Sequence, residues 1–376
     1  MLGTILAIAF VCAATFIGAR TAWATSLPLV IAPVSADVPI SGGEGWLVWS
    51  VPVTGGWGLE AYHDGALSPL PVPLRSQPFD ISVGTNSQGA PVLTFSRCTQ
   101  TPKMEVVGSK AIGGSLLLPR SGAGCRLHVL ELRDGRESML PIPHPADTSD
   151  TTPSMWHGEV AFARRTTGRG DVSQIMLWSP RHPHTLRTLP PGSIASGCVP
   201  KGSCTGQPVY SEVQALDFDG RLVTFLWAMD GPGVLGYGGW EVRVDDPTDG
   251  HSSLAGSGIV TEACVGGGIE LERLQPPLAV GDGVLFSEYR RTSCYENFPS
   301  YLHSYRLGAK RPSSGPLPGI VLGLAKDGRA IYALAAPAPE GQTDPRCSIT
   351  TPCTLEQIER PALTPNRTKP AALSES

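Results

Sequence analysis

Apolar and polar positions alternate along most of this chain in short runs, each opened by a glycine turn. The fullest example is Val213 to Val244, VQALDFDGRLVTFLWAMDGPGVLGYGGWEVRV. Period-2 alternation predicts strands with one face on a core, and Asp219-Gly220 between two such runs predicts a β-hairpin. The phrase recurs. Gly45 precedes Trp46-Leu47-Val48-Trp49, Gly89 precedes Val92-Leu93-Thr94-Phe95, and Gly158 precedes Val160-Ala161-Phe162. Gly283 precedes Val284-Leu285-Phe286, and Gly328 precedes Ala330-Ile331-Tyr332. With Gly220 these make six units.

Each unit carries a further strand: Leu59–Tyr62, Arg126–Leu132, Gln174–Trp178, Trp240–Val244, Leu302–Leu307 and Thr354–Ile358. A fourth segment ending in Leu-Pro follows in four units, at Leu70-Pro71, Leu140-Pro141, Leu189-Pro190 and Leu317-Pro318. Proline has no N–H for a ladder, so these segments belong on outer edges. Ile40, Ile81, Met155, Leu216, Val280 and Leu322 are expected in the innermost strands. Val48, Phe95, Phe162, Phe225, Phe286 and Tyr332 are expected buried in the second strands. The last unit lacks a fourth strand, and Leu27–Ala32 is the expected replacement from the other terminus. Repeated four-stranded antiparallel sheets of this length predict an all-β fold, a β-propeller of six four-stranded blades, with five or seven as alternatives.

Leu216-Asp217-Phe218-Asp219-Gly220-Arg221-Leu222-Val223-Thr224-Phe225 and Ala325-Lys326-Asp327-Gly328-Arg329-Ala330-Ile331-Tyr332 resemble the strand turns of TolB-like, WD40-like propellers. The resemblance implies a fold over roughly residues 36–365. It brings no functional residue with it.

Hydrophobic residues make up 41% of the 376, ample for a large core, while charged residues are only 16%. A formal charge of −4 without a basic run offers no footprint for nucleic acid. Met1–Gly18 is almost wholly apolar and Ala22-Trp23-Ala24 follows, which reads as a secretory signal peptide, residues 1–24, cut after Ala24. An uncleaved anchor is the alternative. The mature chain is then a secreted or envelope protein, off the membrane once cleaved, with one propeller domain (25–365) and a flexible tail (366–376). Cys12 leaves with the leader, and the strand map suggests Cys98–Cys125, Cys198–Cys204, Cys264–Cys294 and Cys347–Cys353 as structural disulfides.

Candidate chemistry is sparse. Gly231-Pro232-Gly233-Val234-Leu235-Gly236 is a literal G-x-G-x-x-G, but a strand follows it where a dinucleotide site needs a helix. Asp217–Gly220 and Asp245–Gly250 fit turn chemistry, not a calcium loop. His182-Pro183-His184 has no third ligand in sequence, and His128 and His303 occupy matching places in third strands. Trp57, Trp156, Tyr237 and Tyr295 are loop aromatics that could stack on sugars or grip peptides, though blade packing is the favoured explanation of them. No catalytic, cofactor or metal residue is assigned. The expected function is that of a monomeric, non-catalytic binding scaffold for a protein or glycan on the loop face. A hydrolase or lyase at the channel mouth is the alternative.

Overall fold

The computed structural model describes residues 29–100, 104–107, 116–119, 123–166, 173–189, 210–230, 238–264, 268–292, 300–317, 319–337, 347–359 and 364–365. Its first strand, β1 (Leu29–Val34), belongs to the last blade. Blade 1 follows as β2 (Ile40–Gly43), β3 (Trp46–Val53), β4 (Gly56–His63) and β5 (Ala66–Pro69). Blade 2 starts with β6 (Ser82–Thr85) and β7 (Pro91–Arg97). An inserted hairpin comes next, β8 (Met104–Val107) and β9 (Leu116–Pro119), and β10 (Arg126–Glu131) and β11 (Glu137–Met139) complete the blade. Blade 3 is β12 (Thr148–Trp156), β13 (Glu159–Thr166), β14 (Ser173–Trp178) and β15 (Leu186–Thr188).

Blade 4 is β16 (Tyr210–Phe218), β17 (Val223–Asp230), β18 (Gly238–Asp246) and the long β19 (His251–Cys264). The far half of β19 pairs with β20 (Gly268–Leu274), which pairs in turn with blade 5. Blade 5 is β21 (Leu278–Val280), β22 (Gly283–Thr292), β23 (Ser300–Arg306) and β24 (Ser313–Leu317). Blade 6 is β25 (Ile320–Asp327), β26 (Ala330–Ala336) and β27 (Cys353–Ile358), with β1 paired to β27 as its outer strand. A last short strand, β28 (Thr364–Pro365), lies against β24. The six antiparallel blades form a ring, a six-bladed β-propeller.

A blade has two faces to bury and only its neighbours to bury them against. Among the described residues the apolar core accordingly divides into six clusters, one per junction. Alternation along one strand feeds two of them. In β17, Phe225 and Trp227 face blade 3 while Leu226 and Ala228 face blade 5. In β26, Ala333 faces blade 5 and Leu334 faces blade 1.

The Leu-Pro signals work as expected at the backbone. Leu70, Leu140 and Leu189 each donate a final 2.9 Å N–H bond to the third strand, at Leu59, Leu127 and Ile175. The proline after each has no N–H to continue the ladder. Tight hairpin turns are equally direct. Glu44-Gly45 and His157-Gly158 both have positive φ at both residues, the backbone that two-residue hairpins require.

Two expectations need correction. Ile81 lies one residue before β6, half-buried against the cluster of blades 1 and 2. Tyr332 is half-buried where Val48, Phe95, Phe162, Phe225 and Phe286 are fully buried. A phenol hydroxyl must reach a polar surrounding, which a Phe need not. The strand expected from Leu27–Ala32 does complete blade 6, over Leu29–Val34.

Candidate functional site

The six first strands stand around the axis, and hydrogen bonds pass from each blade to the next. The Ser41 hydroxyl of blade 1 accepts the Val83 N–H of blade 2 at 2.8 Å. Ser82 donates to Ser154 of blade 3 at 3.1 Å, and Ser154 accepts the Phe218 N–H of blade 4 at 3.0 Å. Asp217 Oδ2 accepts the Ala279 N–H of blade 5 at 2.8 Å. Lys326 Nζ of blade 6 donates to the Ala279 carbonyl, and also to Asp217 Oδ2 at 2.7 Å. Asp327 closes the circle by accepting the Gly45 N–H of blade 1 at 3.0 Å.

The cation of this belt is Lys326, and its acids Asp217 and Asp327 already accept backbone donors. None of the belt residues named is a histidine, and none of its serines bonds an imidazole. Its chemistry is that of a fastening, since each polar group named is used to tie one blade to another.

The end of the ring that carries the first-to-second-strand turns is also tied together. The Gly158 N–H donates to the Thr85 carbonyl at 2.9 Å, and the Trp156 ring lies over Gly220, where a Cβ would come within 2.1 Å of it. The opposite end receives the second-to-third-strand and blade-to-blade connections. There Asp80 accepts N–H groups of Ser96 (3.0 Å) and Thr152 (2.9 Å) and the Arg75 guanidinium (3.0 Å). Arg164 grips Asp150 with two bonds of 2.6 and 2.7 Å, and His144 adds a third at 3.0 Å. Planar two-point pairing of this kind makes a buried carboxylate tolerable.

Cys98–Cys125 and Cys347–Cys353 are disulfides, with Cα atoms 3.8 and 4.9 Å apart. The first follows from register: Arg97 faces Arg126, and the cysteines are the next pair along. Cys198, Cys204 and Cys294 lie outside the described residues, so those two pairings do too; Cys264 ends β19.

His128 and His303 do occupy equivalent places. Each faces the buried Phe of the neighbouring strand, Phe95 and Phe286, and stacks on its ring. Each also has a carboxylate at hand, Glu137 at 2.8 Å and Glu288 at 2.9 Å. Burial pulls the His128 pKa down, helped by Arg97 and opposed by Glu137. Burial would raise Glu137, but bonds and charge from Arg97 and His128 outweigh it and leave its pKa lowered.

The remaining candidates separate. Asp246 accepts the Thr248 N–H at 2.8 Å, and its carbonyl takes the Gly250 N–H, so Asp245–Gly250 is a turn. His182 and His184 are exposed on a turn held by the Trp178 indole through Pro183. Trp57 is half-buried between clusters, and Trp156 is 38% exposed at the tied end. Residues 231–237, with the glycine-rich motif and Tyr237, and Tyr295 lie outside the described residues. Among the described residues no group of three His, Cys, Asp or Glu is placed to hold a metal.

Sequence reasoning misses the belt itself. Ser41, Ser82 and Asp217 directly follow the expected inner residues Ile40, Ile81 and Leu216, and that adjacency is the available signal. The spacing from belt residue to turn glycine varies between blades, so no single offset finds them all.

No family model and no curated protein sequence matches the chain. Solved structures similar to it include TolB from Acinetobacter baumannii, at 9% identity and TM-score 0.40, covering 86% of this chain and 66% of that one. A Mycobacterium tuberculosis puromycin-hydrolyzing peptidase is similar at 11% identity and TM-score 0.41, covering 93% and 57%. BamB from Moraxella catarrhalis is similar at 10% identity and TM-score 0.33, covering 88% and 100%. The chain thus spans just under two thirds of TolB and little more than half of the peptidase.

Proposed function

We propose that this chain is an exported, non-catalytic binding scaffold that engages a protein through the end of the ring carrying the long connections. The observation that supports it most is the asymmetry of the two ends. The first-to-second-strand turns are short and tied blade to blade, whereas residues 98–125, closed at their base by Cys98–Cys125, carry an extra hairpin at the other end. Loops on a rigid scaffold are where recognition is built. The two disulfides favour an oxidising, extracytoplasmic setting, as does the leader, whose cleavage after Ala24 belongs to this proposal.

A protein is preferred to a glycan because neither of the two loop tryptophans among the described residues is offered at the open end. Trp57 is used in packing, and Trp156 is at the opposite end. The test is affinity capture from cell-envelope extract with the intact chain and with a variant whose residues 104–119 are replaced by a short Gly-Ser linker. The reading requires a protein partner that is lost with the hairpin while the fold survives. Glycan-array binding without any protein partner defeats the protein assignment. Turnover of ester, glycoside, lactone or peptide substrates that one axial side chain abolishes defeats the non-catalytic one.

A further inference from the structure

Asp245 is the penultimate residue of β18, and strand register places it on one rung with Phe218, Val223 and Ser252. That rung faces blade 3, because Phe218 and Val223 belong to the apolar cluster shared with Ala161, Ile175 and Leu177. Asp245 is 1% exposed; the Ser252 hydroxyl is the polar group on its rung, but neither carboxylate oxygen completes a hydrogen bond of full geometry. Asp150 is equally buried, but Arg164 and His144 hold it. Among the described residues Asp245 has no such partner. Arg243, two residues back on the same strand, is engaged with Glu241 at 2.7 Å. Glu159, Arg165 and Arg187 are the charged residues that blade 3 places on the face of Ala161 and Leu177; Arg187 is exposed, and Arg165 stands at the far end of β13, facing Ser173. A carboxylate so buried without pairing is costly, and its neutral form is not.

We propose that Asp245 makes the junction of blades 3 and 4 a pH-responsive joint, close-fitting while its carboxyl is neutral and loosened when it ionises. Burial pushes its pKa from 3.8 up to about 6, with Ser252 and Arg243 tempering the shift. A carboxyl raised on folding stabilises fully below its unfolded value of 3.8, and that contribution disappears as pH rises through about 6. The joint therefore tightens in acid, and this holds whether or not the binding reading above is right.

The experiment compares the full chain with Asp245→Asn in urea unfolding from about pH 4 to about pH 8, with hydrogen exchange read at Val223–Phe225 and Ile175–Leu177. Relative to the variant, the native protein should lose roughly a hundredfold in folding constant across that range. Its faster exchange at the alkaline end should be confined to this junction. Parallel pH profiles for the two proteins overturn the proposal. Should the variant fail to fold, carboxyl-carbon NMR titration of Asp245 in the native chain decides the matter. A midpoint near 6 sustains the joint, and one in the ordinary Asp range, about 4, removes it.

Discussion

Lys326 of blade 6 bonds Asp217 of blade 4 at 2.7 Å, reaching past the whole of blade 5. Blade 5 has only Leu278–Val280 as its inner strand, and both partners also bond the backbone of Ala279 within it. The pair therefore clamps the blade whose own axial strand is shortest. Asp217 serves three donors or neighbours, since Ser154 Oγ lies 3.5 Å from its other oxygen, while Lys326 serves two acceptors.

Unequal roles give unequal costs. Asp217→Ala should destabilise by about 2–4 kcal/mol, because it leaves the lysine without its counter-charge and the Ala279 N–H without an acceptor in a half-buried site. Lys326→Met should cost about 1–2 kcal/mol, as the carboxylate keeps its backbone donor. Urea unfolding of the two single variants and the double variant measures the coupling. Equal losses for both singles, adding in the double, would show that the pair does not act as a clamp.

Phe225→Ala should cost about 3–5 kcal/mol, since the ring is 1% exposed between blades 3 and 4. Tyr332→Ala, at the equivalent place in blade 6, should cost visibly less because its ring is only half-buried. Chemical denaturation of both variants tests the ordering. A larger loss at Tyr332 contradicts the difference in burial.

Those two residues also show how much of the fold is legible in the sequence. Each stands behind a glycine turn in an alternating strand, so a local, period-2 pattern places both in second strands. The outer strand Leu29–Val34 is legible because blade 6 lacks a fourth strand and the N-terminus has strand composition. The belt is not, because its polar residues come singly from separate blades, and only ring closure brings Asp217 near Lys326. The fusion of blades 4 and 5 through β19 and β20 is equally hidden. Nothing local distinguishes a strand that stops at a blade's edge from one that runs on to the next blade.

Backbone contact between blades 2 and 3 gives a sharper test of packing. Gly84 has no left-handed φ, yet a Cβ there would lie 1.9 Å from the Met155 carbonyl oxygen. Gly89 is the converse, with φ of 76° and open space around it. Gly89→Ala should cost about 1 kcal/mol through backbone strain alone. Gly84→Ala must push two blades apart and should cost at least twice as much. Thermal unfolding of the pair checks this, and comparable losses would mean that the blades separate easily.

The acid side of the stability curve should be governed by blade 2. Glu137 is lowered from its ordinary 4.5 despite burial, because Arg97 bonds it at 2.6 and 2.7 Å and His128 adds a favourable charge. A lowered carboxyl stabilises above its unfolded pKa, and that contribution is lost as pH falls below 4.5 through the folded value. His128 is lowered too, so its folded state prefers the neutral ring and loses stability as pH falls below 6.5. Both therefore weaken blade 2 in acid, opposite in sign to Asp245. Arg97→Met removes the chief support of the Glu137 charge and should flatten the loss of stability below about pH 4.5 while lowering stability at neutral pH. Unfolding midpoints of the native chain and this variant, followed from about pH 3 to about pH 7, read both effects. An unchanged acid limb in the variant would mean that Glu137 is not what acid attacks first.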